Sequence, residues 1–161
     1  MTDINLYSIK MEYIDYLRKV DSKVPNANYH KKGKFEKIYC GIILKINEYS
    51  YFAPLSHQTS NPDSSFVLKH SDGREYASLR LKFMIPISNL DVVTIKDIGK
   101  ETDVKYKGLL SQELTYCRQN SEKIKEKAME VYTNQVERKK GFHVFCCNFK
   151  ALESAADKYS K

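Results

Sequence analysis

From Leu79 to Ile87 a large apolar residue recurs at every second position: Leu79, Leu81, Phe83, Ile85 and Ile87, with Arg80, Lys82, Met84 and Pro86 between them. A period of two belongs to an extended strand with one face buried, not to an amphipathic helix. The spacing therefore predicts a half-buried strand over residues 79–87. Pro86 has no amide hydrogen to give a neighbour, so this end is expected at a sheet edge.

Other segments extend the pattern. Residues 4–8 read as a short strand, and 11–20 as a helix with Met11, Tyr13, Ile14 and Leu17 on one face. Residues 22–34, with Pro25, Asn26, Asn28 and Gly33, read as a loop. Residues 38–46 and 49–55 form the arms of a hairpin about Asn47-Glu48. A further strand is expected over 65–70, ending at the turn Ser71-Asp72-Gly73. Beyond residue 103 the spacing becomes helical. Leu110, Leu114 and Cys117 line one helix over 103–119, and Asn120-Ser121 breaks and re-caps the chain. Ile124, Ala128, Val131 and Gln135 line a second over 122–139, which Gly141 ends, and a last short helix covers 149–158. Strands come first and helices follow. This order predicts an α+β domain, a short curved antiparallel sheet packed by C-terminal helices, and 161 residues suffice for one such domain.

The chain carries 27 Lys and Arg against 20 Asp and Glu, a formal charge of +7, which favours a polyanionic partner. Several chemistries lack their motifs. There is no phosphate-binding glycine loop, no G-x-S-x-G elbow, no H-E-x-x-H, and no carboxylate cluster suited to magnesium. Cys40, Cys117, Cys146 and Cys147 have no zinc-ligand spacing and read as reduced, mostly buried thiols. The start lacks the features of a secretory leader, and no apolar run could cross a bilayer. The expectation is a cytoplasmic protein without metal or cofactor and away from membranes.

RNA can be cut without metal because its 2′-hydroxyl is itself a nucleophile. A protein must then move the 2′ proton, protonate the leaving 5′-oxygen and stabilise charge at phosphorus. His suits the proton transfers, and Lys or Arg the charge. Ser56-His57-Gln58-Thr59 offers two hydroxyls, an imidazole and an amide just beyond a strand. Lys31, Lys32, Lys34 and Lys37 precede the partner strand. The outer ends of a hairpin are neighbours, so these groups are expected to converge. The same residues also admit a plainer reading, with His57 as a solvated loop residue, the lysines facing water and Tyr29 as a loop anchor.

The segments in order resemble the ToxN/AbiQ toxins of type III toxin–antitoxin systems. Lys37-Ile38-Tyr39-Cys40-Gly41-Ile42-Ile43-Leu44 resembles that family's K-x-x-x-G-I-V-L strand, and Tyr51-Phe52-Ala53-Pro54-Leu55-Ser56 its Y-x-A-P-L-[ST] segment. Residues 81–87 match its L-K-F-M-I-P-I strand. Tyr106-Lys107, Leu110, Gln112-Glu113-Leu114 and Arg118-x-Asn120 fit its helical pattern, and Cys147-Asn148-Phe149 with Leu152-Glu153 its C-terminal one. Helix residues 13–17 and the stretch 21–26 resemble the family as well.

The resemblance implies an SH3-barrel-like fold of the Kid/MazF type. It also implies a metal-independent, sequence-selective endoribonuclease that leaves 2′,3′-cyclic phosphates on cellular or phage RNA. Such a toxin is inhibited by a repeated pseudoknot RNA, whose precursor it processes and with which it closes into cyclic assemblies. For the site, the resemblance implies Lys37 directly and Tyr29 in the preceding loop. Ser56 keeps the first hydroxyl of the family's pair, His57 stands where its second serine is expected, and Thr59 replaces a lysine. Either Ser56 is the working hydroxyl in a shifted register, or His57 has taken over proton transfer, or the site is impaired. Lys31, Lys32, Lys34, Lys82 and Arg118 are candidate RNA-binding residues. The alternative function is a non-catalytic RNA-binding module on the same scaffold. A DNA-binding regulator is disfavoured, because no convincing basic recognition helix is present.

Overall fold

Strand β2 (Tyr39–Ile46) turns through Asn47 into β3 (Tyr49–Ser56), and this hairpin organises the sheet. Asn47 takes φ 54°, a left-handed conformation that asparagine tolerates better than most residues. The computed structural model describes residues 4–26, 37–59 and 62–159. The register between the arms shifts between Cys40 and Leu44. Gly41 sits in that irregular stretch, with the Phe52 ring where a side chain would stand: a Cβ there would lie 2.2 Å from Phe52 Cδ2.

On one side of the hairpin, β1 (Asn5–Ile9) pairs with β2 and β7 (Val93–Ile95) with β1. On the other, β5 (Glu75–Leu79) pairs with the outer end of β3, and β4 (Phe66–Lys69) with β5. The order is β4-β5-β3-β2-β1-β7, with β6 (Ile85–Ile87) paired to β3 off that path. The result is an open sheet of seven strands among the described residues, antiparallel at every pairing.

The strand expected over 79–87 is not continuous. A 3-10 turn at Leu81–Phe83, closed by Phe83 N–H to Arg80 O (3.0 Å) and Met84 N–H to Leu81 O (3.1 Å), divides it into the end of β5 and all of β6. Both pieces pair with β3, at different heights. The alternation misleads because Leu79, Leu81, Met84, Ile85, Pro86 and Ile87 are all buried, so both parities face protein. Leu-Lys-Phe holds no glycine, proline or asparagine to announce a turn. Among the described residues Pro86 belongs to a strand that pairs with β3 alone, which suits its missing donor.

Helix α1 (Met11–Val20) has the expected bounds, and its tie to the sheet is Tyr13 Oη donating to Pro86 O at 2.6 Å. Met11 lies outside the expected apolar face and is exposed, leaving Tyr13, Ile14 and Leu17 buried. Helix α2 (Val104–Gln119) is capped by Asp103, whose Oδ1 accepts from Tyr106 N–H. Asn120 does not cap α3 (Ser121–Val136) through its side chain; its Nδ2 donates back to Tyr116 O and closes α2. Helix α3 stops short of the expected Lys139, since Arg138 and Lys140 already take positive φ before Gly141 does. A short α4 (Phe142–Phe145), like β7, was not anticipated. Helix α5 (Phe149–Tyr159) closes the core: Tyr51 and Tyr132 both donate to the buried Glu153 carboxylate, at 2.7 and 2.8 Å. Among the described residues no helix is long and apolar enough to cross a membrane.

Candidate active site

The β2–β3 register pairs Tyr39 with Pro54, and Leu55 N–H donates to Ile38 O at 2.9 Å. Carried one residue outward, the same register sets Lys37 opposite Ser56. Ser56 in turn pairs with Ser78 of β5. Ser56 and Ser78 thus pair across β3 and β5, and Lys37, just before β2, extends their row. Arg80 lies one pleat inward on the parity of Ser78, its N–H bonded to Pro54 O at 2.9 Å. The turn after β3 is pinned to this row. Gln58 N–H donates to Ser56 Oγ at 3.1 Å, and Ser78 Oγ donates to Gln58 O.

Charge is concentrated here in a partly dry setting. Burial first, and the Arg80 guanidinium second, bring the Lys37 ammonium down to about 8. Lys82 is lowered for the same two reasons in the same order, and its Nζ lies 4.9 Å from the centre of the Phe83 ring. The Ser56 hydroxyl, Lys37 and the buried Arg80 guanidinium therefore gather at one end of the sheet, with Lys82 also in the field of Arg80 and Ser78 buried beneath, its hydroxyl engaged by Gln58 O. That set can seat a phosphodiester and offset charge gathering on its oxygens.

His57 departs from this row. Its side chain, 64% exposed, turns toward α2, where Nε2 lies 3.8 Å from Oε2 of Glu113, itself 1% exposed. That oxygen has no hydrogen-bond partner among the described residues. Burial pushes the Glu113 carboxyl up to about 8, so near neutrality it holds its proton and the two groups are neighbours, not a formed ion pair.

The remaining expected residues are distributed unevenly. Thr59 is half-buried at the end of the segment. Arg118 is tied to β1, with Nε donating to Ile4 O at 2.9 Å and an Nη to Asn5 Oδ1 at 2.7 Å. Tyr29, Lys31, Lys32 and Lys34 lie outside the described residues. Among the described residues no group of three or more His, Cys, Asp or Glu could hold a metal ion.

Ser78, Arg80 and Glu113 were not singled out from sequence. Glu113 had a signal: it occupies the apolar stripe between Leu110 and Cys117, and a carboxylate at a core position is a recognisable anomaly. Arg80 was assigned to the solvent side of a strand that the 3-10 turn interrupts. Ser78 carries no signal at all.

Residues 5–157 match the family model described as toxin ToxN, type III toxin–antitoxin system. The endoribonuclease ToxN of Pectobacterium atrosepticum is 32% identical over 167 residues, covering 98% of this chain and 95% of that protein. A structure solved in work on selective toxin inhibition by a non-coding RNA pseudoknot in bacterial type III toxin–antitoxin systems superposes with a TM-score of 0.87. It is 28% identical and covers 99% of both chains. The structure of AbiQ, a lactococcal anti-phage endoribonuclease of a type III toxin–antitoxin system, superposes with a TM-score of 0.83 at 27% identity, again over 99% of both chains.

Proposed function

The chain belongs to the ToxN toxin family of type III toxin–antitoxin systems, and from that premise we propose an endoribonuclease that cuts RNA without a metal ion and is restrained by a pseudoknot RNA. The observation that carries the reading is the row of Lys37, Ser56 and Ser78 with Arg80 beside it. It brings two positive charges and a hydroxyl to the end of a hairpin.

In the proposed reaction the 2′-oxygen of the RNA attacks the adjacent phosphorus. The new 2′-O–P bond forms as the P–O5′ bond breaks, leaving a 2′,3′-cyclic phosphate and a 5′-hydroxyl. One proton leaves the 2′-hydroxyl and one arrives at the 5′-oxygen. Lys37, still an ammonium below about pH 8, and Arg80 supply positive charge to the phosphorane oxygens, and Ser56 holds one of them by its hydroxyl. His57, exposed immediately beyond Ser56, carries a proton between RNA and solvent. Lys82 seats a neighbouring phosphate, a contact that sets affinity and salt dependence more than base choice.

The scaffold is proposed to be of the Kid/MazF, SH3-barrel-like kind, left open at its edges. Its substrates are proposed to be cellular or phage RNA in the cytoplasm, and its inhibited form a cyclic assembly with the antitoxin RNA. The test is incubation of purified protein with total cellular RNA in EDTA, with product ends identified by mass spectrometry. Fragments ending in 2′,3′-cyclic phosphate support the reading. RNA binding without cleavage in EDTA would leave the non-catalytic module in its place.

A further inference from the structure

We propose that the cleft between the β4–β5 hairpin and α2 takes one unpaired base of the RNA and sets part of the cleavage selectivity; this rests on the endoribonuclease reading above. The cleft is open, about 320 Å³, a volume suited to a single nucleotide. His70, Tyr76, Gln112, Lys69, Ser111 and Gln119 are among its lining residues.

Three features identify the ligand. The His70 and Tyr76 rings lie in a tilted contact, with centroids 4.4 Å apart and planes inclined by 32°, and offer an aromatic surface on which a base can stack. Gln112 Nε2 lies 2.9 Å from His70 Nδ1. That contact holds the imidazole at the end of β4 against α2. The Tyr76 hydroxyl is buried behind its ring, in the field of Glu113 and Cys117, so what Tyr76 offers the cleft is the ring itself. Among the described residues the lining offers amides, hydroxyls and an imidazole, with one lysine and no carboxylate. Edge donors and acceptors, a π-face and a single cation fit a base with its phosphate.

The position follows from the sheet and from α2. Tyr76 lies two residues along β5 from Ser78, which pairs with Ser56. Gln112 precedes Glu113, which approaches His57. A strand held at Lys37 and Ser56 has a neighbouring nucleotide within reach of the cleft.

The experiment uses unstructured RNA octamers randomised around the cut, with wild-type protein, His70→Ala, Gln112→Ala and Tyr76→Leu. We expect base preference at one flanking position to relax about tenfold in the variants, while a dinucleotide too short to reach the cleft is cut at the wild-type rate. Unchanged preference in all three variants, or an equal loss on the dinucleotide, overturns the proposal. Selection of the same library by binding to Lys37→Ala separates this proposal from the cleavage reading. A preference present in Lys37→Ala and lost in Lys37→Ala with His70→Ala supports the cleft even if no RNA is cut. Cleavage with unaltered selectivity in all three variants overturns the cleft and spares the nuclease. Nucleoside monophosphates serve as a second probe: binding that depends on His70, with octamer selectivity unaffected, assigns the cleft to free nucleotides and also overturns the proposal.

Discussion

Lys37 and Arg80 share one end of the sheet, and the guanidinium, after burial, is what lowers the lysine toward neutrality. A rate that needs the Lys37 charge should therefore fall as pH rises through about 8. Below that value the ammonium is intact; above it the seat loses a positive charge. Replacing Arg80 with Gln should move the fall to higher pH, because a like charge has been removed. The measurement is kcat/KM on a short RNA between pH 6 and 10, with circular dichroism to confirm that the Arg80 variant is folded. A profile that does not move would remove Arg80 from the electrostatics of Lys37.

Lys37→Ala should abolish toxicity and lower cleavage by about 10²- to 10³-fold, the usual cost of losing one group that stabilises charge in the transition state. Its melting temperature should stay close to wild type, since Lys37 is only half-buried and stands just before β2, outside the core. Full toxicity in Lys37→Ala would take this residue out of the mechanism.

His57→Ala distinguishes a proton carrier from a loop residue. Loss of the imidazole should lower the rate by about 10²–10⁴ if it transfers a proton. A loss smaller than about tenfold, measured at saturating RNA, would make His57 a bystander and leave Lys37 and Ser56 as the working pair.

How far these residues could be read in advance depended on whether their placement was local. The hairpin was legible because strand periodicity and Asn47-Glu48 agree, and register alone then brings Lys37 to Ser56. The departure of His57 toward Glu113 was not legible, because it depends on where α2 docks, a contact across more than fifty residues. Leu79–Ile87 shows the opposite failure. Its pattern is strong, yet a turn built from ordinary side chains breaks it, since burial on both parities looks the same as alternation. Arg118 could be placed on a helix but not assigned to β1, for the same reason as His57.

Glu113 should make stability depend on pH. Its folded pKa stands near 8 against an ordinary value of 4.5, so between these values the native state keeps a proton that the unfolded chain has released. Stability is then fully present below about pH 4.5 and is lost as pH rises through about 8. Glu113→Gln is neutral throughout and should flatten that slope, leaving the variant the more stable protein near pH 8. Thermal melts from pH 5 to 8.5 decide it. Parallel slopes for the two proteins would mean that the carboxyl is ionised in the native state, whatever its burial.

Gly41 is the position where the hairpin tolerates no side chain. A methyl group added there would stand 2.2, 2.5 and 2.9 Å from three carbons of the Phe52 ring, well inside contact distance. Phe52 is fully buried and packs edge-on against Tyr7 at 4.9 Å, so the ring has little room to withdraw. Gly41→Ala should therefore destabilise the protein by about 1–3 kcal/mol, the usual range for overpacking. Shrinking the obstacle should restore part of this: in the double variant with Phe52→Leu the two effects should fall short of additive, as expected for residues in contact. Chemical denaturation of the four proteins in the cycle measures the coupling. Strict additivity would show that the two sites do not touch in solution, and that the shift of register after Cys40 is held by something other than this ring.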